Sequence, residues 1–302
     1  MVAGETTMTD LLGAVRTMLQ AQTQTGEGLY GIRQVKRGVL PPRYQLPTLA
    51  ILPVSEVYTG YYSGREARLE RTLEIHVVAR DLRGKQGMYD TETLVDAARD
   101  LVRADYRLLN GATARTLDVE TGTIHFGESQ MGDDLLQDAY FDAIYRCREF
   151  LPQPTLVNAV TDNPTGPAVA DLVFDHLKAS LGSAFREYSL GDIGPRGLWP
   201  AMIVSADTVA SEPLPGRDLL AGDITVTLQS PVYGASDQTL SGHLESLELV
   251  KDALQDTPQW SGRCRSSQID EIAFTTAPHS KEGLLYETEI AFSYESKANT
   301  TS

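Results

Sequence analysis

The sequence contains little cysteine and no long hydrophobic run. Its two cysteines, Cys147 and Cys264, are too few for a disulfide framework, and neither has a second thiol nearby for a CxxC metal or redox pair. No stretch approaches 18 consecutive apolar residues, and residues 1–10 lack a basic segment followed by an apolar run. These absences predict a protein of a reducing, cytoplasmic compartment that does not span a membrane.

A basic surface is also missing. The formal net charge is -15 over 302 residues, whereas nucleic-acid binding needs a face that neutralises phosphates. Residues 1–150 hold 17 Lys/Arg and 21 Asp/Glu (net -4), and residues 151–302 hold 9 and 20 (net -11). We therefore expect no specific nucleic-acid partner, and the length and the 41% hydrophobic content predict about two domains.

Motifs for catalysis or metal binding are scarce. Five histidines are scattered singly, without HExxH or HxH spacing: His76, His125, His176, His243 and His279. No glycine-rich phosphate loop and no G-x-S-x-G elbow is present. The pair Asp133–Asp134 lies in a glycine-flanked segment that turn chemistry explains. The sequence predicts no enzyme, no cofactor and no metal site, although ligands from different elements could still converge.

What the sequence does contain is one order of elements that occurs twice. Each half has an amphipathic helix, a strand opened by proline, a long hairpin loop, an alternating return strand, a second helix and two further strands. The first helix carries a predicted capping box, Thr7 with Asp10, and the corresponding helix follows Pro167. This order predicts an α+β fold with two tandem copies of a small mixed β-sheet domain flanked by helices.

The corresponding segments keep nearly constant offsets of 148 to 152 residues. They are Gly64–Glu66 with Gly216–Asp218, Leu73–Val78 with Ile224–Leu228, Leu94–Val102 with Ser246–Leu254, Ile124–Phe126 with Ile272–Phe274, and Leu135–Tyr145 with Leu284–Tyr294. Residues 151–166 are rich in proline and turn formers, as expected of a linker. We predict domains at 1–150 and 167–302; the alternative is two unrelated α+β domains that share a common element order.

The segment Val57–Arg71 is the best candidate for an interaction surface. It places three tyrosines and three arginines on a predicted glycine-hinged hairpin loop, and these residue types are frequent interface anchors. The candidate residues are Tyr58, Tyr61, Tyr62, Arg65 and Arg68, with Arg217 at the corresponding place of the second half. The alternative is an ordinary solvated hairpin tip.

The element order resembles that of the tail-terminator (tail-completion) proteins of tailed bacteriophages, once in each half. The resemblance implies a small mixed sheet flanked by helices and a six-fold ring that caps the tail tube and then joins it to the head. It also implies that the hairpin residues lie at contacts with the lumen or an adjacent ring. Members of this family have no catalytic residues, so the resemblance implies none here.

The resemblance further implies which partners to expect. They are further copies of this chain in a ring, with six chains favoured over three, the tail tube protein, a head-completion or connector protein, and a sheath protein if the tail is contractile. DNA would only pass through the lumen, and the protein would be assembled in the host bacterial cytoplasm into the virion. The alternatives are another symmetric virion component, such as a head-tail connector or baseplate protein, or an enzyme or binding module with a site between the two copies.

Overall fold

The computed structural model describes most of the chain and divides it into two compact units. The described residues are 7–40, 45–62, 66–80, 85–108, 116–131, 134–151, 169–191, 198–214, 217–232, 236–256, 260, 264, 266–279 and 283–298. The first unit comprises residues 1–62, 66–150 and 233–241, and the second comprises 63–65, 151–232 and 242–302. The described residues form four α-helices and eleven strands, which confirms the predicted α+β class.

The first unit contains two helices and six strands. They are α1 (Met8–Ala21), β1 (Gln34–Arg37), β2 (Thr48–Tyr62), β3 (Glu66–Arg80), α2 (Lys85–Ala104), β4 (Thr116–Thr121), β5 (His125–Met131) and β6 (Asp134–Phe150). The strands β4, β6, β3 and β2 lie side by side in that order and are antiparallel. The short β1 runs parallel to β2, and β5 pairs with β6 beyond the end of β4.

Helix α1 begins with the predicted capping box. The Thr7 hydroxyl accepts a hydrogen bond from the Asp10 backbone N–H at 3.1 Å, and the Asp10 carboxylate accepts one from the Thr7 N–H at 3.3 Å. The residues at helical spacing that predicted this helix, Met8, Leu11, Leu12, Val15 and Leu19, are all completely buried. The periodicity therefore identified both the helix and its core face correctly.

The sheet of the first unit buries one face. A core row runs across three strands, because Ile75 of β3 lies opposite both Ile51 of β2 and Phe141 of β6, and all three are fully buried. The side chains that alternate with these residues along β3 and β6, among them Glu74, point to the opposite face and remain partly exposed.

The prediction of a long loop at Val57–Arg71 is wrong. Strands β2 and β3 continue as a paired ribbon to the register pair Tyr62–Glu66, and only residues 63–65 separate them. Tyrosine, threonine and valine favour extended backbone, and β2 is rich in these residues through its distal half. The candidate tyrosines and Arg68 therefore lie on a strand ribbon, where alternate side chains face opposite sides of the sheet.

The second unit contains the remaining helices and strands. They are α3 (Val169–Leu181), a 3₁₀ turn at Gly182–Ala184, β7 (Glu187–Leu190), β8 (Ala201–Leu214), β9 (Arg217–Pro231), α4 (Ser236–Asp256), β10 (Ser266–His279) and β11 (Gly283–Ala298). Helix α4 starts in the segment 233–241, which is grouped with the first unit. The strands lie in the order β10, β11, β9, β8, β7, with only β7 parallel to its neighbour. As in the first unit, the hairpin strands extend farther than the predicted loop allowed, since β8 reaches Leu214 and β9 begins at Arg217.

The core of the second unit also runs across three strands. Val226 of β9 lies opposite Val204 of β8 and Ile290 of β11, and all three are fully buried. Trp260 is 1% exposed and packs edge-on against Phe292, with ring centroids 5.6 Å apart. Helix α4 covers this core through the buried His243, whose imidazole contacts hydroxyls of β9 and β11.

Candidate functional site

The β2–β3 ribbon of the first unit carries the described candidate residues on both of its faces. Tyr58 is half-buried, and its ring stacks on that of Tyr61, with centroids 5.6 Å apart and planes within 6°. Tyr61 is 37% exposed and Arg68 is exposed. Of the described candidates, Tyr61 and Arg68 are therefore the two that a partner could reach directly.

The remaining candidates lie outside what the structure describes. Arg65 falls among the residues not described, and the side chains of Tyr62 and Arg217 are likewise outside the description, although both residues belong to strands. In β1 (Gln34–Arg37), the Arg37 backbone N–H donates to the Asp237 carboxylate at 2.6 Å.

Sequence reasoning missed a buried ionic cluster beneath the ribbon. The Arg71 guanidinium is completely buried and donates through Nη2 to carboxylate oxygens of Glu56 and Glu149, each at 3.3 Å. The Tyr58 hydroxyl donates to the same oxygen of Glu149 at 3.1 Å. Glu56 is fully buried and Glu149 is 7% exposed. Tyr58 is thus held by the interior of the first unit rather than presented to a partner.

This cluster sits on the core face of three adjacent strands. Arg71 of β3 lies directly opposite Glu56 of β2 and Tyr145 of β6. The neighbouring thiol of Cys147 donates to the Tyr145 carbonyl oxygen at 3.7 Å, and burial raises the pKa of this thiol. A thiol kept protonated is a poor nucleophile, so the surroundings of Cys147 do not favour covalent chemistry.

The opposite face of the same sheet brings together residues that are far apart in sequence. Tyr140 of β6 lies between His76 of β3 and His125 of β5, and both imidazoles stack on its ring at centroid distances of 4.7 and 5.0 Å. His76 Nδ1 lies 3.1 Å from both carboxylate oxygens of Asp138, and Nε2 lies 3.1 Å from Glu74 Oε2. The sequence did not predict this assembly, because the histidines are scattered singly along the chain. The pairing of β6 with β3 and β5 brings them together.

The His76 imidazole is held in its charged form. Burial opposes protonation, but the hydrogen bonds to Asp138 and Glu74 outweigh it and raise the pKa of His76 to about 9. The hydrogen bond from His76 lowers the pKa of the Glu74 carboxyl. At neutral pH the group is an ion-paired clamp between β3 and β6. Within the described residues, no group of three or more His, Cys, Asp or Glu side chains has the arrangement of a metal site.

This clamp predicts a loss of stability at alkaline pH. The folded-state pKa of His76 lies above the unfolded value of 6.5, so its stabilisation is complete below pH 6.5 and is lost as the pH rises through about 9. The difference corresponds to at most about 3 kcal/mol. In urea titrations between pH 6 and 10, His76→Gln should be less stable than wild type at pH 6 and should lose less further stability on alkalinisation.

His125→Gln is the matched control, because it alters the other imidazole of the same stack and leaves both carboxylate contacts of His76 in place. It should retain the alkaline loss seen in the wild type. Equal pH dependence in His76→Gln and wild type would show that the ion pairs of His76 do not stabilise the fold.

A scan against protein-family models matched no family, and a search of curated proteins returned no significantly similar sequence. In the described part of the chain, no helix is long and apolar enough to cross a membrane. The function is therefore inferred from the geometry of the two units.

Proposed function

We propose that this protein is a structural component of a phage virion, made of two tandem copies of one domain, that closes into a ring at the head-proximal end of the tail. The ring would end growth of the tail tube and join the tail to the head. The observation that carries this proposal is a set of matching backbone contacts, bulges and ion pairs in the two units, because a repeated domain is suited to building a symmetric ring.

Backbone contacts at the first strands support the duplication. The Arg33 N–H donates to the Pro47 carbonyl at 2.9 Å, and the Arg186 N–H donates to the Pro200 carbonyl at 2.8 Å. At the other end of the short parallel strand, Gly38 donates to Ile51, and Gly191 donates to Val204, both at 2.8 Å. Donors and acceptors of the two units are all 153 residues apart. Two unrelated domains would match in element order without matching in these contacts.

The turns and irregularities agree as well. Gly38 has φ of 77° and Gly191 has φ of 81°, the left-handed region that glycine tolerates best. The ribbon strand β2 bulges between Pro53 and Ser55, and β8 bulges between Ala206 and Thr208, again 153 residues on. A β-bulge re-aims a strand and is kept within protein families. Its recurrence at one position of both ribbons supports a common origin.

The second helices also correspond. Asp96 and Arg99 form an i,i+3 ion pair at 2.7 Å on α2, and Glu248 and Lys251 form one at 3.5 Å on α4, at an offset of 152 residues. The buried rows Ile51–Ile75–Phe141 and Val204–Val226–Ile290 occupy equivalent registers of the two units. These correspondences involve β1, β2, β3, α2 and β6 of the first unit and β7, β8, β9, α4 and β11 of the second.

The proposed action is mechanical. Repeated head-to-tail contacts between copies are heterologous and can close into a ring when the rotation per subunit permits. A closed ring whose one face complements the open end of a tube leaves no site for a further tube subunit, so termination follows from geometry. Tyr61 and Arg68 on the first ribbon are the proposed contacts with the tube, since Tyr and Arg are common interface anchors.

The first test is the mass and symmetry of the purified protein, by light scattering and negative-stain class averages. We expect a closed ring of three chains if both units lie in the ring wall, or of six if one unit forms the wall. Added to polymerising tail tube protein, the ring should shorten the tubes. Arg68→Glu should raise the protein concentration required for capping at least tenfold.

Arg33→Glu is the matched control for capping, because Arg33 is also an exposed arginine of the first unit but precedes β1, outside the distal half of the ribbon. It should cap tubes as the wild type does. A protein that stays monomeric at high concentration, or rings that leave tube length unchanged, would refute the proposed function.

A further inference from the structure

Strand β8 of the second unit has a long open edge. The short strand β7 covers β8 only from Ala201 to Val204, whereas β8 pairs with β9 along its whole length, to Leu214. From Ser205 to Leu214 the outer edge of β8 pairs with no strand among the described residues. Ten residues of strand are about 33 Å long, so this edge offers a long row of backbone donors and acceptors.

The sequence of this edge gives it little protection. Natural edge strands are blunted by lysine, proline, bulges or a covering element. On β8 the bulge lies at Asp207 and the only proline is Pro213, while Thr208–Ser211 between them contains no charged residue and no proline. This stretch is rich in residues that favour or tolerate extended backbone, and it is therefore competent to pair with another strand.

The first unit has a margin of its own that pairs with no further strand in the described part of the chain. Strand β4 is its terminal strand, opposite Ala143–Cys147 of β6, and β5 continues the same margin opposite Asp134–Tyr140. Beyond a bulge at Leu117, β4 pairs regularly with β6 from Asp118 to Thr121. Large apolar side chains are exposed along this margin, with Leu117 at 42% and Phe126 at 49%.

We propose that the open edge of β8 in one copy pairs with the β4 margin of a second copy. The two edges lie on different units, so each copy offers one edge to a copy on either side, which is the heterologous contact that can close a ring. A second copy is the favoured occupant because this chain itself supplies both edges, and each has a regular stretch of at least four residues beyond its bulge.

The β4 margin is acidic, and the stretch of β8 that would pair with it carries no charge. On β4, Asp118 and Glu120 contact one cation, Arg146, at 3.0 and 3.5 Å, and Arg146 also contacts Glu70 at 3.1 Å. Because Thr208–Ser211 contains no charged residue, it adds no like charge to this margin. This pairing names the contact that would close the proposed ring. Only the closure into a ring rests on the proposed function; the pairing of the two edges does not.

The test is disulfide formation between copies. Cysteines are placed singly at Thr208 and Val209 of β8 and at Val119 and Glu120 of β4, so that both faces of each strand are sampled. We expect oxidation of a mixture of a β8 variant with a β4 variant to give a covalent dimer. Each variant oxidised alone should give none, and a chain with one cysteine on each strand should give a ladder that ends at the ring size.

Ser180→Cys on α3 is the control for random collision, and it should give no specific dimer with either strand. In unmodified protein, amides of β8 between Thr208 and Glu212 should exchange at least tenfold more slowly in the assembly than in dilute monomer, which tests the inference without any substitution. Rings that form without cross-links or added protection would overturn the edge contact alone. Cross-linked dimers without closed rings would uphold it and count against the proposed function.

Discussion

Replacing Arg71 with methionine should destabilise the first unit by about 3–5 kcal/mol, because it leaves two carboxylates in the interior without their cation. Arg71 is completely buried, and its guanidinium contacts Glu56 and Glu149 at 3.3 Å each. Far-UV circular dichroism in urea would measure the loss, since both tryptophans, Trp199 and Trp260, belong to the second unit and do not report on the first.

Arg68→Met is the matched control, as it makes the same change three residues away on the exposed face of the same strand. It should change stability by no more than about 0.5 kcal/mol. The triple variant Arg71→Met, Glu56→Gln, Glu149→Gln should recover part of the loss, because it removes the buried charges together with their partner. Equal effects of Arg71→Met and Arg68→Met would contradict the buried cluster.

The helices could be predicted from the sequence because their signals are local. Apolar residues at helical spacing and the Thr7–Asp10 box each involve neighbours within one or two turns, and both predicted the start and the buried face of α1. Strands β1, β4 and β7 were not predicted. They are only four to six residues long, and Gln34–Arg37 contains a single buried residue, so no alternation is detectable.

The distal half of the ribbon was misjudged for a different reason. Glycines, charged residues and tyrosines between Val57 and Arg71 suggested a loop, although Tyr, Thr and Val also favour strands. The burial of Arg71 depends on Glu149, 78 residues away, and no local pattern contains that information. The assembly of His76 with His125 likewise depends on the register of β6 against two other strands.

The two units differ where their correspondence would place the ionic cluster. At the offset of 151 residues that relates Ile75 to Val226, Arg71 corresponds to Gly222, which lies opposite Tyr294 as Arg71 lies opposite Tyr145. At this register position the second unit therefore has a buried tyrosine and a glycine in place of the cation. If the two units arose by the proposed duplication, this difference predicts separate roles for their distal ribbons in the proposed ring.

The second unit should lose stability on mild acidification through His243. This imidazole is 2% exposed, contacts the hydroxyls of Ser230 and Thr288 at 2.9 and 2.7 Å, and burial lowers its pKa to about 4. Since the unfolded pKa is 6.5, the unfolded chain binds more protons between these values. Stability is therefore complete above pH 6.5, falls as the pH drops through about 4, and decreases by about 3 kcal/mol in total.

Tryptophan fluorescence in urea between pH 7 and 4 follows this loss, because both tryptophans lie in the second unit. His243→Gln should begin from a lower stability at pH 7, since its amide must fit a site shaped for an imidazole, but should fall less steeply with acid. Carboxylates titrate in the same range, so the informative quantity is the difference in slope from wild type. His176→Gln, which alters a half-buried histidine of α3, should keep the wild-type slope. If His243→Gln kept that slope too, His243 would not be the group whose protonation destabilises the second unit.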